Sequence, residues 1–384
     1  MSVREYETYR GIYESVGARH VINARGAYTT MGGSRLSPTV SAAMAEANRY
    51  FVDMRELLES SGRIIAQMLE CEAAYVTSGA AGALALAAAA CLTGDDPAKM
   101  ERLPDVTGMR HEILIQKDLR VRYDRAVTVP GAKLVEVGDE AGTTPQQLEA
   151  AIGPRTAAVH YYATSYPNLS DRPGTLMLDQ VVAVARAHAV PVIVDAAGQT
   201  YPLDSLKKYA QMGADLVCYA GKYFDAPHST GILTGRKDLV EIAAMQGFIG
   251  FETSGYRTFG RAMKLDRQEI VAVVVALREW FAMNHEERFL GYARRAERIT
   301  AVLRGIPGIA VTPVPIGPPV MRSGLQIALE PGSGKTGPQI AAALREGTPS
   351  IAINAQPDTL TVSVAFFEDG EEEIVAERLR DALI

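Results

Sequence analysis

Cysteine is scarce in this chain: three residues in 384, Cys71, Cys91 and Cys218, each within an apolar stretch and at no metal-ligand spacing. So sparse a set builds no disulfide framework, and a reducing cytoplasm is the simplest compartment for it. Positive charge is not in excess either. Lysine and arginine number 39 against 45 aspartates and glutamates, a formal net charge of −6. A chain without a basic footprint is poorly suited to nucleic acid as its main partner. Long hydrophobic runs are missing too: the alanine-rich GAAGALALAAAACLTG (79–94) is too short to span a bilayer, so no membrane partner is expected. The N-terminal MSVREYETYRGIYESVG is charged and has no signal-type apolar core. Six histidines are scattered with no two at i, i+4 and none beside a cysteine, so local sequence builds no metal site.

What is present reads as an enzyme-sized cytoplasmic protein. A hydrophobic fraction of 47% with 22% charged residues is ordinary for a globular chain, and 384 residues exceed one small core. From about 70 to 235, apolar β-branched runs alternate with helical patterns. AAYVT (73–77), EILIQ (112–116), KLVEV (133–137), AAVHYYA (157–163), VPVIVD (190–195) and ADLVCY (214–219) are the strand candidates. Several are apolar throughout, as strands are when helices cover both faces. Between them lie segments such as LMLDQVVAVARAHA (176–189), apolar at three- and four-residue steps. Such alternation predicts an α/β fold, a mostly parallel sheet with helices on both faces. After 265 the chain turns to two long helices, then short strands and two more helices, which predicts a smaller α+β domain. The expected division is 46–264 for the large domain and 1–45 with 265–384 for the small one.

Two chemistries compete for attention. EPGSGKTGP (330–338) contains Gly-Lys-Thr, but a phosphate loop needs a glycine five positions before Gly334, and Leu329 stands there. It reads as a turn into the following helix. DLVCYAGKYFDAPHSTGIL (215–233) is different: it sets Lys222 in a small-residue turn just after an apolar strand. A lysine amine attacks a carbonyl to give a Schiff base, the linkage used by aldehyde cofactors. Such a cofactor needs a carboxylate facing its pyridine nitrogen, and VPVIVDAAGQTYP places Asp195 at the C-terminal end of a strand, where ligands bind in open parallel sheets. Its phosphate needs backbone N–H groups, and VTSGAAGALALAA places Ser78, Gly79, Ala80 and Ala81 where a strand turns into a helix.

That order, a Gly/Ala-rich helix start, an Asp-Ala-Ala strand end and a Gly-Lys turn, resembles the fold type I pyridoxal-phosphate enzymes. Within them the chain is most similar to the bacterial selenocysteine synthase group and its relatives, the glucosaminate-phosphate ammonia-lyases among them. VINARGAYTTMGGSRLSP (21–38), YVTSGAAGALALAAAACLTG (75–94), IVDAAGQTYP (193–202), GKYFDAPHSTGILTGRKDLV (221–240) and GRAMKLDRQEIVAVVVAL (260–277) carry the likeness in order. The resemblance implies pyridoxal 5′-phosphate as cofactor, held by Lys222, which would also move protons at the substrate α-carbon. It implies Asp195 on the pyridine nitrogen, Ala197 beneath the ring and residues 78–81 on the phosphate. It implies a homodimer or larger homo-oligomer in which Ser229 and Thr230 reach a neighbouring subunit's site. Arg261 and Lys264 match a basic pair of the family that faces phosphate or substrate.

The chain also departs from that pattern. Tyr219 stands three positions before the lysine where a small hydroxyl residue is usual. Leu119 precedes Arg120 where a histidine would stack on the ring, with Gln116 or Tyr123 as substitutes. Arg25 replaces a neutral residue near the start, and it is suited to grip a substrate carboxylate, as Arg120 and Arg261 are. The resemblance implies a lyase on a small amino-acid-type or amino sugar acid substrate, by α-proton abstraction and β-elimination. Racemase, aldolase and aminotransferase chemistry use the same carbanion and stay open. A non-catalytic scaffold is a further alternative, against which intact Lys222 and Asp195 weigh. The net charge of −6 disfavours a tRNA-dependent reaction. His228, six positions past Lys222, reads either as a proton-transfer aid or as a solvated loop histidine.

Overall fold

The computed structural model describes residues 11–163, 174–314, 324–331 and 334–384; the charged start of the N-terminal segment (1–10) and Gly332 and Ser333 of the Gly-Lys-Thr stretch lie outside them. The chain divides into two compact units, Ser34–Ala282 and Met1–Gly33 with Met283–Ile384. These bounds lie outside the expected 46–264 at both ends. Helix Pro38–Arg49 packs on helix Arg267–Ala282, so both belong with the sheet. Ser37 donates to Glu279 at 2.5 Å, and the Arg267 guanidinium donates to the carbonyls of Ala47, Asn48 and Tyr50 that end the first helix.

The first strand, β1 (Val21–Asn23), belongs to the smaller unit. The larger unit holds β2 (Ala73–Thr77), β3 (Glu112–Gln116), β4 (Lys133–Val137), β5 (Thr156–Tyr162), β6 (Val192–Asp195), β7 (Leu216–Ala220) and β8 (Gly231–Gly235) in one sheet. Their order is β2-β8-β7-β6-β5-β3-β4. Every pairing is parallel except those of β8, which runs antiparallel between β2 and β7. This is the mostly parallel sheet expected from the apolar runs. β6, β7 and β8 are buried along their whole length, and each fully buried Ile, Leu or Val there stabilises the fold by roughly 1.5–3 kcal/mol. Helix Gly79–Thr93 packs against β5 to β8 and is buried over most of its length; small side chains let it lie close to the strands.

In the smaller unit, β9 (Ile309–Pro313), β10 (Gly324–Leu329), β12 (Asn354–Gln356) and β13 (Thr359–Ser363) form an antiparallel sheet of order β12-β13-β10-β9, and β11 (Ser350–Ala352) pairs with β1 in parallel. Ile299, Leu325, Ile327, Leu360, Val362, Ile374 and Leu379 fill its core together with helices His285–Leu303, Gly337–Glu346 and Glu371–Leu383. Glu372, buried at the start of the last helix, takes the Arg298 guanidinium at 2.5 Å and so links two of these helices. The Gly-Lys-Thr stretch leads into a helix, as expected. Gln339 Oε1 accepts from the Thr336 N–H at 2.8 Å, and the Lys335 amine donates to the Ala382 carbonyl.

Candidate active site

Three chain segments end along one edge of the large sheet. Thr77, the last residue of β2, pairs with Gly231, the first of β8; Gly231 pairs in turn with Ala220, the last of β7. One strand further, Asp195 closes β6 opposite Cys218 of β7. The edge therefore carries, side by side, the helix start at Ser78, the turn holding Lys222, and Asp195. Short bonds prolong the strand pairing past the sheet: Ala196 N–H to the Cys218 carbonyl at 3.0 Å and Ala220 N–H to the Ala197 carbonyl at 3.1 Å.

The helix start is an open cradle. Gly79 has φ +72, a left-handed conformation that admits glycine readily, and Ser78 makes no hydrogen bond from its side chain to cap the helix. The first-turn N–H groups have no carbonyl partner within a helix and so face outward, where an anion is favoured. Ser78, Gly79 and Ala80 are half-buried and Ala81 is exposed, although the helix behind them is buried. Gly231 lets β8 pass beneath this turn: a Cβ there would lie 2.4 Å from the Gly79 carbonyl carbon and 2.7 Å from Ala80 N.

Asp195 is 2% exposed and accepts the Ala197 N–H at 3.0 Å. Burial pushes its carboxyl up to about 6, and that one N–H only partly offsets the shift. A cationic or N–H partner above it would satisfy the carboxylate at once. Lys222 is half-buried, and burial holds its amine below the ordinary lysine value, which favours the neutral, nucleophilic form. Its Nζ lies 5.0 Å from the centre of the Tyr223 ring. The turn is pinned on several sides: Thr200 Oγ1 donates to the Tyr223 carbonyl at 2.7 Å, Ser34 Oγ to the Ala226 carbonyl, and Gly221 N–H to the Thr230 carbonyl at 2.8 Å. Trp280 Nε1 fixes Thr200 from behind at 2.8 Å. A buried carboxylate, a lysine amine of depressed basicity and a cradle of free N–H groups fit the three ends of a phosphorylated pyridine aldehyde.

A family model, SelA: L-seryl-tRNA selenium transferase, matches residues 21–290. The chain belongs to the SelA family. It is 34% identical over 385 residues to a 5'-C-glycyluridine monooxygenase-decarboxylase of Streptomyces sp, covering 97% of this chain and 92% of that protein. It is 33% identical over 303 residues to a D-glucosaminate-6-phosphate ammonia lyase of Salmonella typhimurium, covering 78% and 76% of the two. The solved structure of a D-glucosaminate-6-phosphate ammonia-lyase superposes with a TM-score of 0.84 over 98% of this chain and 99% of that one, at 28% identity. The architecture is that of the fold type I pyridoxal-phosphate enzymes, and this SelA-family chain is an enzyme of that class.

The remaining candidates of this SelA-family member divide sharply. Ala197, half-buried, follows Asp195 at the open edge. Tyr219 points away from it: its hydroxyl, buried, lies 3.2 and 3.1 Å from the carbonyls of Ser205 and Leu206, so the phenol serves the fold and makes no phosphate contact. The Gln116 amide is engaged at both ends by the Leu176 backbone, at 2.7 and 3.1 Å, and Tyr123 is largely exposed. Thr230 is fully buried and donates to the Pro227 carbonyl at 2.7 Å, whereas exposed Ser229 donates to Glu269. The guanidinium of Arg120 is paired with Asp124 at 2.5 Å and with Glu136, and that of Arg261 with Glu252 at 2.7 Å. Lys264 is exposed.

Arg25, in the smaller unit, is held differently. Its Nε donates to Asn354 Oδ1 at 3.0 Å, a terminal nitrogen donates to Thr30 Oγ1 at 3.3 Å, and its Cζ lies 4.8 Å from the Tyr28 ring centre. Among the described residues no carboxylate pairs with it. Among the described residues the groups that orient its charge are neutral. Asn354, which braces Arg25 from 329 residues along the chain and also donates to its carbonyl, was not a sequence candidate. Neither was Gly231; its only signal was a glycine at the start of an apolar run.

Proposed function

We propose that this protein is a lyase that removes the α-proton of an amino acid or amino sugar acid and expels a β-substituent, with pyridoxal 5′-phosphate held at Lys222. One arrangement carries the reading: a lysine amine of lowered basicity, a buried carboxylate and the open start of a buried helix on one sheet edge. Asp195 would hold the ring nitrogen, Ala197 would pack beneath the ring, and the N–H groups of Ser78 to Ala81 would hold the phosphate. The cofactor, when bound, supplies an electron sink for a carbanion at the substrate α-carbon. Lys222 takes the α-proton, and its half-buried position keeps the amine neutral enough to do so. Arg25 binds the substrate carboxylate; its neutral partners among the described residues, against the ion pairs of Arg120 and Arg261, favour it among the three. Loss of water across the α–β bond yields an enamine, whose hydrolysis releases ammonia and a 2-keto acid.

The net charge of −6 supports a small-molecule substrate over tRNA. The exposed Ser229 and the apolar run Tyr50–Val52 support a homodimer, and the sparing use of cysteine supports a cytoplasmic localisation.

The deciding experiment is the visible absorbance of the purified protein before and after borohydride, beside Lys222→Ala. A band in the wild type that borohydride bleaches and that the variant lacks is the expected outcome. A colourless wild type that takes up no added cofactor overturns the reading. Ammonia and keto acid released from D-glucosaminate 6-phosphate or β-hydroxy amino acids would then establish the lyase. Oxygen uptake with carbon dioxide release would instead place the chain with its monooxygenase-decarboxylase relative.

A further inference from the structure

The Lys222 amine has to serve in two charge states: neutral when it takes a proton, and positive once the proton is on it. An aromatic ring meets it in the second state. Nζ lies 5.0 Å from the centre of the Tyr223 ring, inside the roughly 6 Å over which an ammonium is attracted to an aromatic face. Both residues are half-buried, so the attraction is screened less than it would be at an open surface.

The ring stands on a braced backbone. Gly221–Phe224 form one tight helical turn after β7. The Tyr223 carbonyl accepts from Thr200 Oγ1 at 2.7 Å, and the Thr200 carbonyl accepts from the Trp280 indole N–H at 2.8 Å. Thr200 is fully buried and Trp280 nearly so, which ties the turn both to the segment after Asp195 and to helix Arg267–Ala282. Asp225 and His228 share the wider loop, Glu269 reaches it at Ser229, and Asp195 ends the strand beside β7. Burial is what lowers the basicity of Lys222. A carboxylate in contact with the amine would raise it by about one to three pH units and hold it charged. An aromatic face is worth about half to one unit, enough to ease the charge while leaving the amine able to lose it.

We propose that Tyr223 is a positioning residue for Lys222, its ring face receiving the ammonium that forms when the amine takes the substrate α-proton. The inference rests on the lysine-centred reading above. In that step the C–H bond breaks, its electron pair stays with the α-carbon, and the proton goes to Nζ, which becomes a cation beside the negative face of the ring. When the proton leaves Nζ for the departing hydroxyl or for water, the amine is neutral again. The face attracts the charged form and not the neutral one, so its contribution falls on the step that creates the charge.

The first test needs no cofactor. The cofactor-free protein is reductively methylated with isotope-labelled formaldehyde, and the Lys222 methyl signal, assigned by its loss in Lys222→Met, is followed by NMR against pH. Tyr223→Phe keeps the ring and should leave the Lys222 midpoint within about 0.3 of a pH unit. A trifluorinated phenylalanine at the same position keeps the shape and the burial but empties the negative face, and should lower the midpoint by about half to one unit relative to Tyr223→Phe. An unmoved or raised midpoint with the fluorinated ring overturns the proposal, and so does a fall of that size already in Tyr223→Phe, which would assign the effect to the hydroxyl. In the loaded enzyme, exchange of the substrate α-proton with solvent deuterium should fall about three- to tenfold with the fluorinated ring while KM stays unchanged. Equal exchange rates overturn the role in proton abstraction even if the midpoint moves. A wild type with no borohydride-sensitive band brings down the lyase reading alone, since the NMR titration still decides whether the ring holds the ammonium.

Discussion

At the scale of single residues, Asp195 couples stability to function. Its folded value of about 6 lies above the ordinary 3.8 because burial disfavours the charge. The sign follows from that order. The folded state binds the proton more tightly than the unfolded chain, so the group's contribution is fully present below about pH 4 and is lost as pH rises through 6. A gap of about two pH units corresponds to roughly 3 kcal/mol. In the cofactor-free protein, Asp195→Asn should therefore melt a few degrees above the wild type at pH 8, and no higher than it at pH 4. Added cofactor should reverse the ranking at pH 8, because a ring N–H partner turns the buried charge from a cost into an attraction. Calorimetry at both pH values checks this; a variant that melts lower at pH 8 without cofactor would show that the carboxylate is already satisfied in the fold.

Arg25 makes a second prediction at this scale. If the guanidinium grips a carboxylate equally in ground and transition states, Arg25→Ala raises KM roughly 10- to 100-fold and changes kcat little. Arg25→Lys should fail to restore it, since the fork that Asn354 and Thr30 orient has no counterpart in an ammonium. The placement of Lys222, Asp195 and residues 78–81 along one sheet edge was legible because apolar runs mark the strand ends they follow. Tyr219 and Gln116 were not. Their partners, Ser205 and Leu206 for one and Leu176 for the other, are supplied by the fold, and no local pattern announces them.

Among the elements, the strands that read as long apolar runs were recovered within a residue or two, including β2, β3 and β4 at their full extent. What periodicity did not disclose was pairing. β8 follows β7 after one turn, yet it inserts antiparallel between β7 and β2, and β1 finds its partner in β11 near the other end of the chain. The insertion of β8 brings Gly231 against Gly79 and so shapes the open helix start, the proposed phosphate site, from two remote glycines. Gly231→Ala should push the helix start outward, at a cost of about 1–3 kcal/mol in stability, and lower cofactor retention at least tenfold on dialysis. Gly153→Ala, whose Cβ meets nothing within 4 Å, should leave both unchanged and serves as the control.

For the whole molecule, composition bounded the class of protein but not its internal division. Two long helices beyond 265 carry no break that assigns one to the sheet unit and the next to the smaller one. That assignment comes from the packing of helix Arg267–Ala282 on helix Pro38–Arg49. The same junction leaves an apolar run on the surface: Tyr50 is 61% exposed and Phe51 94%, with the Arg267 guanidinium 4.9 Å from the Phe51 ring centre. An aromatic ring so exposed gains most of its burial energy only when another surface covers it. In the proposed homodimer that surface is a second copy, and both copies carry a net charge of −6. Like charges oppose association at low ionic strength and are screened as salt is added. Light scattering should accordingly find a dimer whose dissociation constant falls between low and physiological salt. Phe51→Asp removes the ring and adds a charge to the buried centre of the contact, so it should weaken the dimer by at least about thirtyfold, equivalent to roughly 2 kcal/mol. A wild type that stays monomeric at all salt concentrations would leave Ser229 serving only Glu269 of its own chain, and the site would have to be complete within one subunit.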